Sequence, residues 1–302
     1  MTLYQNNFFS NIKGLIGGVT PEQIGNFLFL LPPLKEQEQI ANFLDEKCEK
    51  IQNFIEKKEK LLSLLQEQKQ ALINETITKG LDKNVKLKNS GIEWLGEIPE
   101  HWEMVKIKYF ANLYNGDSIK DSDKGKYCIA DNDTIPYIAT KDIDIIFNSI
   151  NYYNGMFIKK TDANFKKAYK ECILLCVEGA NAGKKIAILN QEVCFVNKLC
   201  CIKNKSTELN SKFLFYFFQG IFFQNNFFSN IKGLIGGVTP EQIGNFLFLL
   251  PPLKEQEQIA NFLDEKCEKI DSLIAKIKKQ IELIKEYKTT LINEAICGRM
   301  DL

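Results

Sequence analysis

The sequence predicts an α+β protein, in which a mixed α/β domain lies between two long helices that pair with each other. Three observations lead there. The stretch "QNNFFSNIKGLIGGVTPEQIGNFLFLLPPLKEQEQIANFLDEKCEKI" at residues 5–51 recurs unchanged at 224–270, an offset of 219 positions. After a Pro-Pro pair in each copy, apolar residues return at steps of three, four and seven, the mark of a helix with one buried seam. Between the two helical stretches, β-branched and aromatic runs alternate with clusters of Gly, Asn and Asp, which reads as short strands and turns.

The first helix is expected over 34–79, its seam formed by Ile40, Leu44, Ile51, Ile55, Leu62, Leu65 and Leu72, with Cys48, Lys58 and Lys69 at the positions the sevens skip. The second is expected over 253–298, with Ile259, Leu263, Ile270, Ile274, Ile277, Ile281, Ile284 and Leu291 on its seam. At 1.5 Å per residue each would be about 70 Å long, too long to bury a stripe against itself. "LINETITKGLD" (72–82) and "LINEAICGRMD" (291–301) keep the 219-residue offset beyond the identical stretch. Shared ends with a diverged middle suggest that both ends dock on something common.

The segment "NSGIEWLGEIPEHW" (89–102) reads as a lead-in packed on the next domain. Strands are then expected at "YCIA", "TIPYIAT", "CILLCVEG", "KKIAILN" and "EVCFVNKLCCIK", and "SKFLFYFFQGIFFQ" as a helix entering the second repeat.

The chain carries 39 Lys plus Arg against 38 Asp plus Glu, a net charge of +1. Bulk charge therefore names no partner, though a binding face needs only local basic character. Arg299 is the single arginine, so polar contacts to bases or phosphates fall to Lys, Asn, Gln, Ser, Thr and the backbone. Nine cysteines, mostly inside apolar runs, fit reduced cytoplasmic usage. No signal peptide and no 18-residue apolar span is present, so a soluble cytoplasmic protein without membrane contact is expected.

His101 is the only histidine, which excludes a His-based metal cluster or a Ser-His-Asp relay. A four-cysteine zinc site from Cys172, Cys176, Cys194 and Cys200 or Cys201 is disfavoured, because three strand-like residues separate the first pair. "EGANAGKK" (178–185) is no phosphate loop: Gly179 and Gly183 enclose three residues, no Ser or Thr follows the lysine, and a strand follows where a helix is needed. It reads instead as a hairpin turn that offers Asn181, Lys184 and Lys185 to a phosphate or base edge, or else as structural glycines beside a solvated lysine pair. No metal, no cofactor and no catalysis by this chain alone are expected.

"LPPLKEQEQIANFLDEK", "LINETITKGLD", "NSGIEWLGEIPEHWEMVKIKYF" and "VEGANAGKKIAILNQEVCFVNKLCCI", in that order, resemble the DNA-specificity subunit of type I restriction-modification systems. The resemblance covers nearly the whole chain. It implies target-recognition domains that each read half of a bipartite DNA sequence, alternating with conserved long helices. Those helices pair as an antiparallel coiled coil and dock methyltransferase subunits, and through them the restriction subunit. Carried over, 1–33 is the residual tail of a first recognition domain, 34–80 the central conserved helix, 81–103 a lead-in linker, 104–252 the recognition domain and 253–302 the distal conserved helix. Double-stranded DNA would then be met by polar residues in loops or beside strand ends: Asn115, Ser118, Lys120, Lys124, Lys126, Thr140, Lys141, Asn181, Lys184, Lys185, Asn197 and Lys198. A coiled-coil scaffold that binds no DNA is the rival reading. In the first repeat, apolar residues such as Phe8, Phe9, Ile12, Leu15, Ile16, Ile24 and 27–30 have no preceding strands to cover them. Local disorder, a homodimer, a domain lent by another chain, or an inactive fragment of a recombining cassette would each account for that.

Overall fold

The first long helix spans Leu34–Lys79 and the second Leu253–Ile296, in a computed structural model that describes residues 20–26, 31–231 and 236–300. Both start the same way. The carbonyl of Pro33 accepts from the amides of Glu36 and Gln37, and that of Pro252 from those of Glu255 and Gln256. The first helix ends at Gly80, whose N–H still reaches the Thr76 carbonyl at 3.0 Å while its φ of +74° turns the chain out of the helix. The second stops two residues before the expected end. There Gly298, at φ +64°, closes a Schellman turn in which Arg299 N–H meets Glu294 O at 3.0 Å and Gly298 N–H meets Ala295 O at 3.3 Å. Among the described residues no helix is long and apolar enough to cross a membrane.

The chain divides into two compact units, one of residues 67–271 and one of 1–66 with 272–302. The rear of the first helix thus shares a unit with the front of the second, and the converse holds for the other ends, so the helices run antiparallel. In the unit of 1–66 with 272–302, Ile51 and Ile55 form a buried cluster with Ile277, Ile281 and Leu291, and Leu44, Leu62, Leu65 and Ile284 pack against it. Glu59 and Lys285 form an ion pair at 3.7 Å in the same unit. Ile274 is buried in the same unit. In the unit of 67–271, Ile270 is buried, while Ile259 and Leu263 lie in the central domain's core with Ile73, Ile77, Phe213 and Phe217. Ile40 is half-buried.

The central domain holds twelve short strands among the described residues. β1 (Leu87–Asn89) and β2 (Glu97–Pro99) form a hairpin. β3 (Glu103–Lys106) is followed by β4 (Ala111–Asn115), β5 (Thr134–Ile138), β6 (Phe157–Lys159), β7 (Lys167–Ala168) and β8 (Ile173–Cys176). β9 (Ile186–Ile188), β10 (Val193–Phe195), β11 (Leu199–Asn204) and β12 (Leu247–Leu250) complete the set. The sheets are ordered β6-β5-β10-β7 and β4-β11-β8-β9, and β12 closes back on β3. β10 and β5 pair in parallel, whereas the other strand pairs are antiparallel.

Period-two alternation explains why β8 and the first four residues of β11 are apolar, since both faces are buried there. Ile173, Leu175, Cys200 and Ile202 face the cluster that includes the helices, and Leu174, Cys176, Leu199 and Cys201 face the cluster that includes Ile138 and Phe195. The lead-in packs on this domain through Trp102, fully buried, and Trp94, whose ring lies 5.6 Å from that of Phe222.

Two expected elements differ. "YCIA" is no strand: Asp121–Tyr127 form a 3-10 helix held by the pairs Lys124–Asp121 and Lys126–Asp123, and Ile129 is exposed. Both edges of β5, the nearest strand in sequence, are already taken by β6 and β10. "SKFLFYFFQGIFFQ" forms two helices, Ser211–Gln219 and Ile221–Ser229, separated by Gly220 at ψ 154°. A Cβ at Gly220 would stand 2.0 Å from Ile77 Cδ1, so the break sits where the chain touches the first long helix.

The two repeats fold alike locally and are buried differently. Pro21–Gly25 and Pro240–Gly244 each form a one-turn helix with the same capping box, from Thr20 with Gln23 and from Thr239 with Gln242. Yet Ile24 is 40% exposed and Ile243 fully buried. The expectation for Phe8, Phe9, Ile12, Leu15, Ile16 and 27–30 lies outside the described residues. Gln37 donates to Pro32 O at 2.7 Å, as its counterpart Gln256 does to Pro251 O at 2.8 Å. Gln256 alone also donates to Glu208 O at 2.9 Å and accepts from Asn210 N–H at 2.8 Å, and it is fully buried.

Truncating two chemically identical residues should therefore give different results. Gln256→Ala leaves an amide and two carbonyls short of partners and is expected to lower stability by about 2–4 kcal/mol. Gln37→Ala should cost less than about 1 kcal/mol. Urea unfolding of both variants checks this, and equal losses would show that the central domain does not rest on Gln256.

Candidate nucleic-acid interface

Three loops meet at one edge of the central domain. The β8–β9 turn is shaped by Gly179 and Gly183, at φ +88° and +74°. Gly183 N–H bonds Cys176 O at 2.8 Å, and the amides of Lys184 and Lys185 both reach Asn181 O. A Cβ on Gly183 would stand 2.7 Å from the Phe227 ring, so this glycine is needed for packing as well as for its φ. Asn181 and Lys184 project outward, and half-buried Lys185 donates to Thr140 O at 2.8 Å. That bond ties the turn to the loop after β5, where Lys141, Asp142, Asp144, Ser149 and Asn151 join Lys185 around a cleft of about 430 Å³. The β10–β11 turn is the third loop. Lys198 O accepts from Val177 N–H at 2.9 Å, Lys198 Nζ lies 3.5 Å from Glu178, and Asn197 is exposed.

Thr140, Lys141, Asn181, Lys184, Lys185, Asn197 and Lys198 are thus brought together. Asn115, Ser118, Lys120, Lys124 and Lys126 form a separate strip, joined to the β10–β11 turn by Gly116 N–H to Leu199 O and Asp117 N–H to Phe195 O. Within the strip Lys124 and Lys126 are spent on their aspartates, and Asn115 turns its Oδ1 into the interior without a partner. Lys141 and Lys184 are exposed and engaged by no carboxylate among the described residues. Asp142 is buried and structural, its Oδ2 accepting from Ala139 N–H and Asn154 Nδ2 at 2.8 Å each.

Sequence reasoning did not single out Ser149 and Asn151. The signal was present in "DIDIIFNSINYYNG", whose Asp and Asn side chains cap their own backbone: Asp144 accepts from Ile146 and Phe147, and Asn151 from Tyr153. Among the described residues no group of His, Cys, Asp and Glu is arranged to hold a metal. Burial pushes the thiols of Cys194 and Cys200 up to about 12, which keeps them protonated. His101 is bonded to Glu255 at 2.8 Å, beside the end of the first helix.

A two-sheet domain that presents polar loops is thus combined in one chain with an antiparallel pair of long helices. Residues 99–283 match the type I restriction modification DNA specificity domain, and the chain belongs to that family. It is 28% identical over 289 residues to the type I restriction enzyme MjaVIII specificity subunit of Methanocaldococcus jannaschii, covering 91% of this chain and 62% of that one. To the EcoBI specificity subunit of Escherichia coli it is 25% identical over 218 residues, covering 69% and 41%. The chain thus spans about 41–62% of the length of these curated relatives. Among solved structures, a chain of a type I R-M system superposes with a TM-score of 0.74 at 18% identity, over 97% of this chain and 68% of that one. The HsdS subunit of Thermoanaerobacter tengcongensis gives 0.50 at 18% identity, over 99% and 68%. These likenesses concern the fold.

Proposed function

We propose that this chain is a non-catalytic specificity subunit that binds duplex DNA through the loops around Lys141, Lys184 and Lys185 and directs methyltransferase subunits, and through them a restriction subunit, to a target site. The observation that carries this reading is the convergence of three polar loops with two unpaired lysines on the fold of this family. In the presence of the cognate methyltransferase subunit, the triple change Lys141→Gln, Lys184→Gln, Lys185→Gln is expected to weaken duplex binding about 10- to 100-fold. Each lost phosphate contact should also flatten the dependence of log affinity on log salt by about 0.9. An assembled complex with no duplex affinity at any salt would favour the coiled-coil scaffold instead.

The unit of 1–66 with 272–302 suits a paired partner. Phe54, Leu61 and Leu64 on the first helix and Leu273, Leu283 and Tyr287 on the second are exposed. At about 100° per residue they project to one flank of the seam, and the Glu59–Lys285 pair to the other. Phe54 and Leu273, like Leu64 and Leu283, stand 219 residues apart in a stretch where the repeats otherwise diverge. Two like surfaces suit two copies of one methyltransferase subunit, docked on this apolar flank.

In the second repeat Ile243 and Gln256 are covered by the central domain, whereas among the described residues their counterparts Ile24 and Gln37 are not, Ile24 being 40% exposed and Gln37 bonding Pro32 O. We assign the first repeat a second recognition domain. If a second copy of this chain supplies it, genome-wide mapping of methylated sites should return a palindromic split motif. An asymmetric split motif would mean that a different domain covers the first repeat.

A further inference from the structure

The cleft is held in place from outside the loops that form it. Lys69, in the first long helix, is 9% exposed. Its Nζ donates to both carboxylate oxygens of Asp271 on the second helix at 2.8 Å and to the carbonyl of Ile146 at 3.3 Å. Ile146 lies in the loop that runs from Lys141 to Asn151 along the cleft. A second tie holds the same loop two residues on, where Asn148 Nδ2 donates to Gln219 Oε1 at 2.8 Å from a left-handed backbone with φ +51°. Gln219 is in turn fixed to the first helix, since its carbonyl accepts from Gln70 Nε2 at 2.8 Å.

The ion pair belongs to one end of the helix pair. Asp271 is the first position at which the second repeat departs from the first, and Gln52 stands at the matching place. Gln52 donates to Glu56 on its own helix. Lys288, the counterpart of Lys69, therefore has no aspartate at the matching position, and among the described residues the charge pair appears at the end of the helix pair where the 144–151 loop lies over it.

We infer that Lys69 is a positioning residue for DNA recognition: locked by Asp271, it fixes the 144–151 loop, and the discrimination exercised by the cleft depends on a side chain of the helical spacer. A buried ammonium held by a carboxylate cannot move without exposing an unpaired charge, so its third bond anchors the loop carbonyl. The inference rests on the DNA-binding reading above for its consequence and on geometry alone for the anchor.

The test uses the full chain with Lys69→Met, which keeps length and loses every donor, Lys69→Arg, which restores charge and donors, and Asp271→Asn. Amide exchange in the chain by itself should quicken about ten-fold or more at Ile146–Asn148 in Lys69→Met, less in Asp271→Asn and least in Lys69→Arg, with β11 unchanged. In complex with the cognate methyltransferase subunit, Lys69→Met should methylate single-base variants of the wild-type motif with discrimination reduced about ten-fold, and Lys69→Arg should recover most of it. Exchange that stays at the wild-type rate, or full discrimination despite a loosened loop, would overturn the inference. If the wild-type complex methylates no motif, the DNA-binding reading and the specificity role fall together, and exchange still decides whether Lys69 holds the loop.

Discussion

Replacing Ile274, Ile277 and Ile281 with aspartate is expected to separate the two long helices. The three side chains are 0%, 7% and 7% exposed, and the last two share a buried cluster with Ile51 and Ile55. Burial of each isoleucine contributes about 1.5–3 kcal/mol, and each aspartate would bring a charge with no partner into the seam. The combined loss should exceed about 5 kcal/mol, comparable to the whole stability of many domains. Circular dichroism should show lost helicity at room temperature, and binding of the methyltransferase partner proposed above should disappear. Unchanged helicity together with unchanged partner binding would refute the paired-helix description.

The second large effect is expected at Gly116. This residue follows β4, and a Cβ there would stand 1.9 Å from the carbonyl oxygen of Phe195 and 2.6 Å from its carbonyl carbon. Phe195 is fully buried in β10, a strand paired on both sides, so the obstacle is backbone that has nowhere to go. Gly116→Ala should cost about 3 kcal/mol. Gly125→Ala, where nothing lies within 4 Å, should stay within about 0.5 kcal/mol. Urea midpoints of the two variants provide the comparison, and equal midpoints would mean that the β4 end relaxes away from β10.

The long helices were legible because a seven-residue repeat leaves few other solutions for 46 residues. Periodicity gave the buried face of Ile259 and Leu263 without saying what covers it, and they are covered by the aromatic core around Phe213 and Phe217. β8 was legible from "CILLCV" because a short unbroken apolar run between turns suits a strand buried on both faces. "YCIA" carries the same local signal and lacks a neighbouring strand edge, which no local pattern reports. Gly220 shows the same limit: the contact that splits the helix is with Ile77, 143 residues earlier.

At the candidate interface, glycine spacing disclosed the β8–β9 turn, since Gly179 and Gly183 both need positive φ. The bond from Lys185 to Thr140 spans 45 residues. Pairings of that kind arise from sheet order, so the grouping of Thr140, Lys141 and Lys185 could be read only from the fold. Local charge also misled in a definable way. Lys124 and Lys126 look like free cations in the sequence and are neutralised three residues away by Asp121 and Asp123.

The socket around Gln256 meets the central domain at Asn210 N–H and Glu208 C=O, groups that every non-proline residue owns. A joint that grips main chain is blind to the lettering of the domain it holds. A substitution at Glu208 or Asn210 leaves those two bonds available to Gln256, whereas the side chains of Phe213 and Phe217 must fit Ile259 and Leu263. The verbatim recurrence of the stretch that contains Gln37 and Gln256 places the same glutamine, with the same bond to a proline carbonyl, at two points of the chain, ready to grip main chain at either.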